Sequence, residues 1–123
     1  MTLVLDAGAL IAMERGDRDT AAVIEVARQE RRAVVVPAGV VGQVWRGGGQ
    51  VRVARLLNAR DVQVEPLTDA SARAAGVLCG QAGTADVIDA SIVIITRRLG
   101  ATVISSDRAD LEILDPTIRI VDC

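Results

Sequence analysis

Five short aliphatic runs are spaced along the whole chain: Thr2–Leu5, Ala33–Val36, Val62–Glu65, Thr102–Ser105 and Ile118–Val121. Each is rich in Val and Ile and bounded by turn or helix signals, the pattern of short buried strands. Stretches with helical periodicity fill the intervals. They cover Ala7–Glu14, Asp19–Glu30, Pro37–Trp45, Val51–Ala59, Asp69–Gln81, Asp86–Leu99 and Asp107–Leu114. Asp19–Glu30 places Ala22, Val23, Val26 and Ala27 on one helical face; Gly47-Gly48-Gly49 interrupts the third and fourth helices, and Pro116 follows the last. The predicted order is βααβααβααβαβ. Alternation of this kind predicts an α/β fold with a mostly parallel sheet covered on both faces.

Composition narrows the chemistry. A chain of 123 residues, half hydrophobic and 24% charged, predicts one domain, 1–123, with a real core. Phe and Tyr are absent and Trp45 is the sole aromatic, so Val, Ile, Leu and Ala must build that core. All 14 basic residues are Arg, and there is neither Lys nor His. This excludes a His general base, a His-activated nucleophile, a His metal site, a Schiff-base lysine and a P-loop lysine. Carboxylates are left as the main acid–base and ligand groups, and oxygen donors suit Mg²⁺, Mn²⁺ or Ca²⁺ rather than Zn²⁺. Cys79 and Cys123 are too few for a disulfide framework. The net charge of −2 gives no global attraction to nucleic acid, although a local Arg stripe can supply one. With no basic leader and no apolar run of membrane length, a cytoplasmic protein is expected.

Asp6, Asp86, Asp89 and Asp107 carry the chemical signal. Asp6 ends the first predicted strand and Asp107 follows the fourth, behind Ser105-Ser106. Ligands of open parallel sheets bind beyond the carboxyl ends of the strands. The helix holding Asp89 returns antiparallel to its strand, so its amino end overlies that same edge. Asp86 lies three residues earlier, on the same helical face. Asp6, Asp86 and Asp107 each fit a helix N-cap as well, and Asp110 fits an exposed position. Asp89 differs, because it sits in a helix that is apolar nearly all round, where an unpaired carboxylate is costly. Together the four predict a bound metal ion and hydrolytic chemistry.

The segments VLDAGALIA around Asp6, VPAGVVGQVWRGG around Gln43, IDASIVIITRRLGATVISSD from Asp89 to Asp107 and the following DRADL resemble PIN-domain ribonucleases, above all the VapC-type toxins of bacterial toxin–antitoxin pairs. The resemblance covers essentially the whole chain. It implies a three-layer α/β/α sandwich with a five-stranded parallel sheet and an acidic pocket for Mg²⁺ or Mn²⁺. The family's acids fall on Asp6, Asp89 and Asp107. Gln43 stands where the family carries a Glu. An amide offers a carbonyl oxygen to a hard cation but no charge and no base. Asp86 is therefore expected to stand in for the missing charge as a metal ligand.

The expected reaction is hydrolysis of RNA phosphodiester bonds, with Arg15, Arg46 and Arg108 as candidate phosphate contacts. The resemblance further implies a homodimer and a cognate antitoxin protein, with no membrane partner. The helices at Asp19–Ala27 and Val51–Leu57 are candidate interaction stripes. The lack of Lys weighs heavily against a receiver-type domain, and Gly8, where a second Asp would stand, against a haloacid-dehalogenase-like phosphatase. The competing reading is a catalytically weak PIN-like module that binds RNA or an antitoxin.

Overall fold

The computed structural model describes residues 1–123. Its elements run β1 (Leu3–Leu5), α1 (Ala7–Arg15), α2 (Arg18–Gln29), β2 (Val34–Pro37), α3 (Ala38–Val44), α4 (Val51–Asn58), β3 (Val62–Glu65), α5 (Asp69–Ala82), α6 (Val87–Leu99), β4 (Thr102–Ser105), α7 (Arg108–Leu114) and β5 (Arg119–Asp122). The expected order of elements holds throughout. Boundaries differ by a residue or two, with β2 and β5 each displaced one residue towards the C-terminus.

All four strand pairings are parallel, in the order β3-β2-β1-β4-β5. The chain steps outward from β1 to β3, then returns to lay β4 on the other side of β1. The strand order therefore reverses between β1 and β4, and a crevice opens at the carboxyl ends of those two neighbours. Helices α1 to α4 pack among themselves, as do α5, α6 and α7, which gives the two outer layers. No single helix is long and apolar enough to cross a membrane.

The core is aliphatic, as composition required. Leu5, Leu10, Ile24, Ile92, Ile104 and Leu111 are among the largest fully buried side chains, and Trp45 lies outside the core at 40% exposure. The central strands β1, β2 and β4 are buried along their whole length, whereas the edge strand β5 is largely exposed. This is the burial expected of strands covered on both faces.

Local signals fix the helix ends near the crevice. The Asp6 carboxylate accepts the Ala9 N–H at 2.9 Å and caps α1. The Asp86 carboxylate accepts the Asp89 N–H at 2.9 Å and caps α6. Gly16 and Gly100 close α1 and α6 in the left-handed conformation, at φ of 80° and 59°.

Candidate functional site

The register Leu5↔Ile104 sets the ends of β1 and β4 side by side. The Asp6 N–H extends the ladder to the Ile104 carbonyl at 3.2 Å. Asp6 and Ser105 thus emerge together at the switch in strand order. The Ser105 hydroxyl accepts the Asp107 N–H at 2.8 Å, which holds the tight turn leading into α7. Unlike Asp6 and Asp86, Asp107 makes no capping bond with its side chain. Its carboxylate faces a cleft with both oxygens uncommitted.

That cleft has a volume of about 310 Å³ and is lined by Asp6, Ala7, Gln43, Arg46, Asp86, Asp89, Ile92, Asp107 and Asp110. Asp6 comes from the end of β1, Gln43 and Arg46 from the end of α3, Asp86 and Asp89 from the start of α6, and Asp107 and Asp110 from the start of α7. Of the residues anticipated as site groups, all but two line it. Arg15 and Arg108 do not. Arg108 instead engages the Asp122 carboxylate at 2.8 and 3.1 Å, the Glu112 carboxylate at 3.2 Å and the Ile120 carbonyl at 2.9 Å. Asp110 is exposed, as anticipated, and also borders the cleft.

Five carboxylates therefore face one another across a cleft that contains a single guanidinium. Burial is the main reason that the Asp89 carboxyl is pushed up to about 7, and repulsion from Asp86, Asp107, Asp110 and Asp6 adds to it. Asp6, only 3% exposed, is also raised, chiefly by burial; the Ser105 hydroxyl and the Ala9 N–H oppose the shift and Asp107 reinforces it. A cation relieves both the cost of burying these carboxylates and the repulsion among them. The donors are oxygens alone, matching a hard divalent ion. As the side chains stand, no three carboxylates are grouped closely enough to hold one ion between them. A small ion that keeps much of its water shell and is bound through one or two carboxylates fits such an arrangement.

Arg46 is held at the rim by its own backbone surroundings. Its guanidinium donates to the carbonyls of Trp45 at 2.8 Å and Gly42 at 3.3 Å, and its N–H donates to the Gln50 side chain at 2.7 Å. Gln50 in turn donates to the Val44 carbonyl at 2.7 Å, tying the end of α3 to the start of α4. Gln43 is exposed at the cleft wall.

Residues 3–115 match the family model of the PIN domain. No curated protein sequence matches the chain. Among solved structures, VapBC2 from Rickettsia felis, bound to a DNA fragment from its promoter, is similar at a TM-score of 0.72 and 11% identity, over 100% of this chain and 99% of that one. The Mycobacterium tuberculosis VapC20, a sarcin–ricin-loop-cleaving toxin, is similar at 0.63 and 18% identity, over 82% and 86% of the two chains. FitAcB from Neisseria gonorrhoeae is similar at 0.62 and 15% identity, over 96% and 95%. At these identities the likeness speaks for the fold.

Proposed function

The chain belongs to the PIN domain family, and on that premise we propose that it is a divalent-metal-dependent endoribonuclease, the toxin of a toxin–antitoxin pair. The observation that carries this reading is the convergence of five carboxylates on one cleft where the strand order reverses. The VapC20 toxin, whose fold is similar, cleaves the sarcin–ricin loop, which supports RNA as the substrate class. VapBC2 and FitAcB support a protein antitoxin as a partner. A homodimer is part of the same proposal.

Asp6, Asp89 and Asp107 are the proposed principal ligands for Mg²⁺ or Mn²⁺, one or two binding directly and the others through the ion's water, with Asp86 and the Gln43 carbonyl oxygen as further donors. The chemistry supplied by such an ion, when bound, is Lewis acidity towards a phosphodiester and activation of water. The chain's own groups do the rest. Asp6 and Asp107 both line the cleft, and the Asp107 carboxylate makes no capping bond, so either residue can orient the attacking water and take its proton. Arg46, fixed on two carbonyls, meets a phosphate oxygen at the rim and offsets part of the acidic field that would repel RNA. Asp110, one turn along α7 from Asp107, adds charge to the same wall.

The test is RNA cleavage with Mg²⁺ or Mn²⁺, with EDTA, and by Asp6→Ala. Cleavage that depends on metal and is lost in Asp6→Ala is expected. Cleavage that persists equally in EDTA, or in the variant, removes the enzyme reading. Gln43 in place of a carboxylate favours a second reading, a catalytically weak module that binds RNA or an antitoxin. RNA binding without turnover in either metal would establish it.

A further inference from the structure

Residues 31–60 contain six arginines and no acidic residue, a segment of charge +6 in a chain whose net charge is −2. The remaining 93 residues therefore sum to −8. Only Arg32 in this segment forms an ion pair, with Glu30; Arg31, Arg46, Arg52, Arg55 and Arg60 pair with no carboxylate. Elsewhere most arginines are paired, as in Arg28–Asp61, Arg73–Asp69, Arg97–Asp115, Arg98–Glu65 and Arg108–Asp122. The segment includes α3, the glycine loop and α4, and it reaches the acidic cleft at Arg46. On α4, Val53 and Leu56 are buried, while Arg52 and Arg55, three residues apart, are exposed on the flanking face. The Arg52 guanidinium is held by the Glu14 carbonyl at 2.9 Å. The Glu14 carboxylate, half-buried at the start of α4, accepts the Val53 N–H at 2.9 Å. Trp45, the only aromatic side chain, is 40% exposed beside Arg46.

We propose that the α3–α4 unit is the platform on which single-stranded RNA lies as it enters the cleft, with Arg46, Arg52 and Arg55 on successive phosphates and Trp45 stacked on a base. This deepens, and rests on, the ribonuclease reading. Unpaired guanidinium groups on one flank supply the backbone contacts, and an exposed aromatic ring among them is the element that an acidic protein partner would not need. The polarity also answers a difficulty at the cleft, whose five carboxylates repel a polyanion. A cationic flank ending at Arg46 offsets that repulsion along the line of approach.

Binding of a fluorescein-labelled single-stranded RNA of mixed sequence, followed by anisotropy in EDTA, reads the platform without cleavage. Arg52→Gln/Arg55→Gln is expected to weaken binding about tenfold and to lower the slope of log K against log salt by about 1.4, the value for two lost phosphate contacts. Arg55→Gln alone, at an exposed side chain that makes no hydrogen bond or ion pair within the fold, guards against loss of structure and should lower the slope by about 0.7. Trp45→Ala should cost about fivefold or more with the slope unchanged. Arg73→Gln, on α5, is the control. Unchanged affinity and slope in both Arg variants would overturn the platform even if the protein cleaves RNA. Displacement of RNA by polyglutamate at equal charge concentration, as effectively as by RNA, would overturn nucleic acid as its occupant. Platform-dependent binding by a protein that cleaves nothing would retain the inference and remove the nuclease reading.

Discussion

Gly8 shows how closely two distant segments must meet to form the cleft. A Cβ at this position would lie 2.0 Å from the Ser106 Oγ, 2.7 Å from its Cβ and 3.1 Å from its backbone nitrogen. The hydroxyl can rotate away, but the Ser106 Cβ moves only with the backbone. Gly8→Ala therefore pushes the start of α1 away from the β4–α7 turn, and so Asp6 away from Asp107. A destabilisation of about 1–3 kcal/mol is expected from such overpacking, measured by denaturant unfolding. Gly8→Ala/Ser106→Gly should recover most of it. Asp86 poses a separate question, because it caps α6 while also lining the cleft. Asparagine caps a helix about as well as aspartate. Asp86→Asn should accordingly leave the melting temperature unchanged while weakening Mn²⁺ binding about tenfold by calorimetry, and Gln43→Glu should strengthen it. An unaltered Mn²⁺ affinity in Asp86→Asn would reduce Asp86 to a cap.

Element order was legible because each strand is a short aliphatic run followed within two residues by Asp or Pro, and each longer interval carries helical periodicity. Boundaries were less legible where one residue serves two elements: Pro37 ends β2 and stands as the N-cap of α3, and Asp86 precedes α6 as its cap. Site membership failed at Arg108 for a geometric reason. Adjacent helical residues point about 100° apart, whereas residues three apart share a face. Asp110 therefore joins Asp107 at the cleft, and Arg108 turns to the edge strand β5 and meets Asp122. That partner follows from the pairing of β5 with β4, which the sequence does not state. The junction between α7 and β5 depends on a second such contact. Asp115 is 5% exposed and accepts from the Thr117 N–H at 2.8 Å, the Thr117 hydroxyl at 2.6 Å and Arg97 Nε at 2.5 Å. The Thr117 hydroxyl, followed by Arg97, brings its carboxyl down to about 2. Asp115→Ala leaves those donors unpartnered where α6, α7 and β5 meet, and should cost about 2–3 kcal/mol in thermal or denaturant unfolding. A cost below about 0.5 kcal/mol would show that solvent replaces the carboxylate there.

Across the whole molecule, the cost of gathering carboxylates at the switch point should appear as a pH dependence opposite to that of an ion-paired acid. The Asp89 carboxyl sits at about 7 in the folded protein against an ordinary 3.8, and Asp6 is raised as well. Between these values the folded protein holds more protons on the cluster than the unfolded chain does. Without divalent ions, stability must therefore fall as pH rises from about 4 to about 7. Asp115, Asp61 and Asp122, all lowered by their donors, act in the other direction and only in acid, where their contribution is lost as pH falls below about 4. In EDTA the melting temperature should thus peak in mildly acidic buffer and decline towards pH 8. A divalent ion binds the ionised cluster, so the stabilisation by MgCl₂ should be small at pH 5 and reach several °C at pH 8, with NaCl at matched ionic strength as the control. Asp89→Asn removes the most perturbed group, and should flatten the EDTA profile while reducing the response to Mg²⁺. A response to Mg²⁺ that is equal at pH 5 and pH 8, or that survives intact in Asp89→Asn, would mean that the ion acts elsewhere on the surface and that the five acids do not form its site.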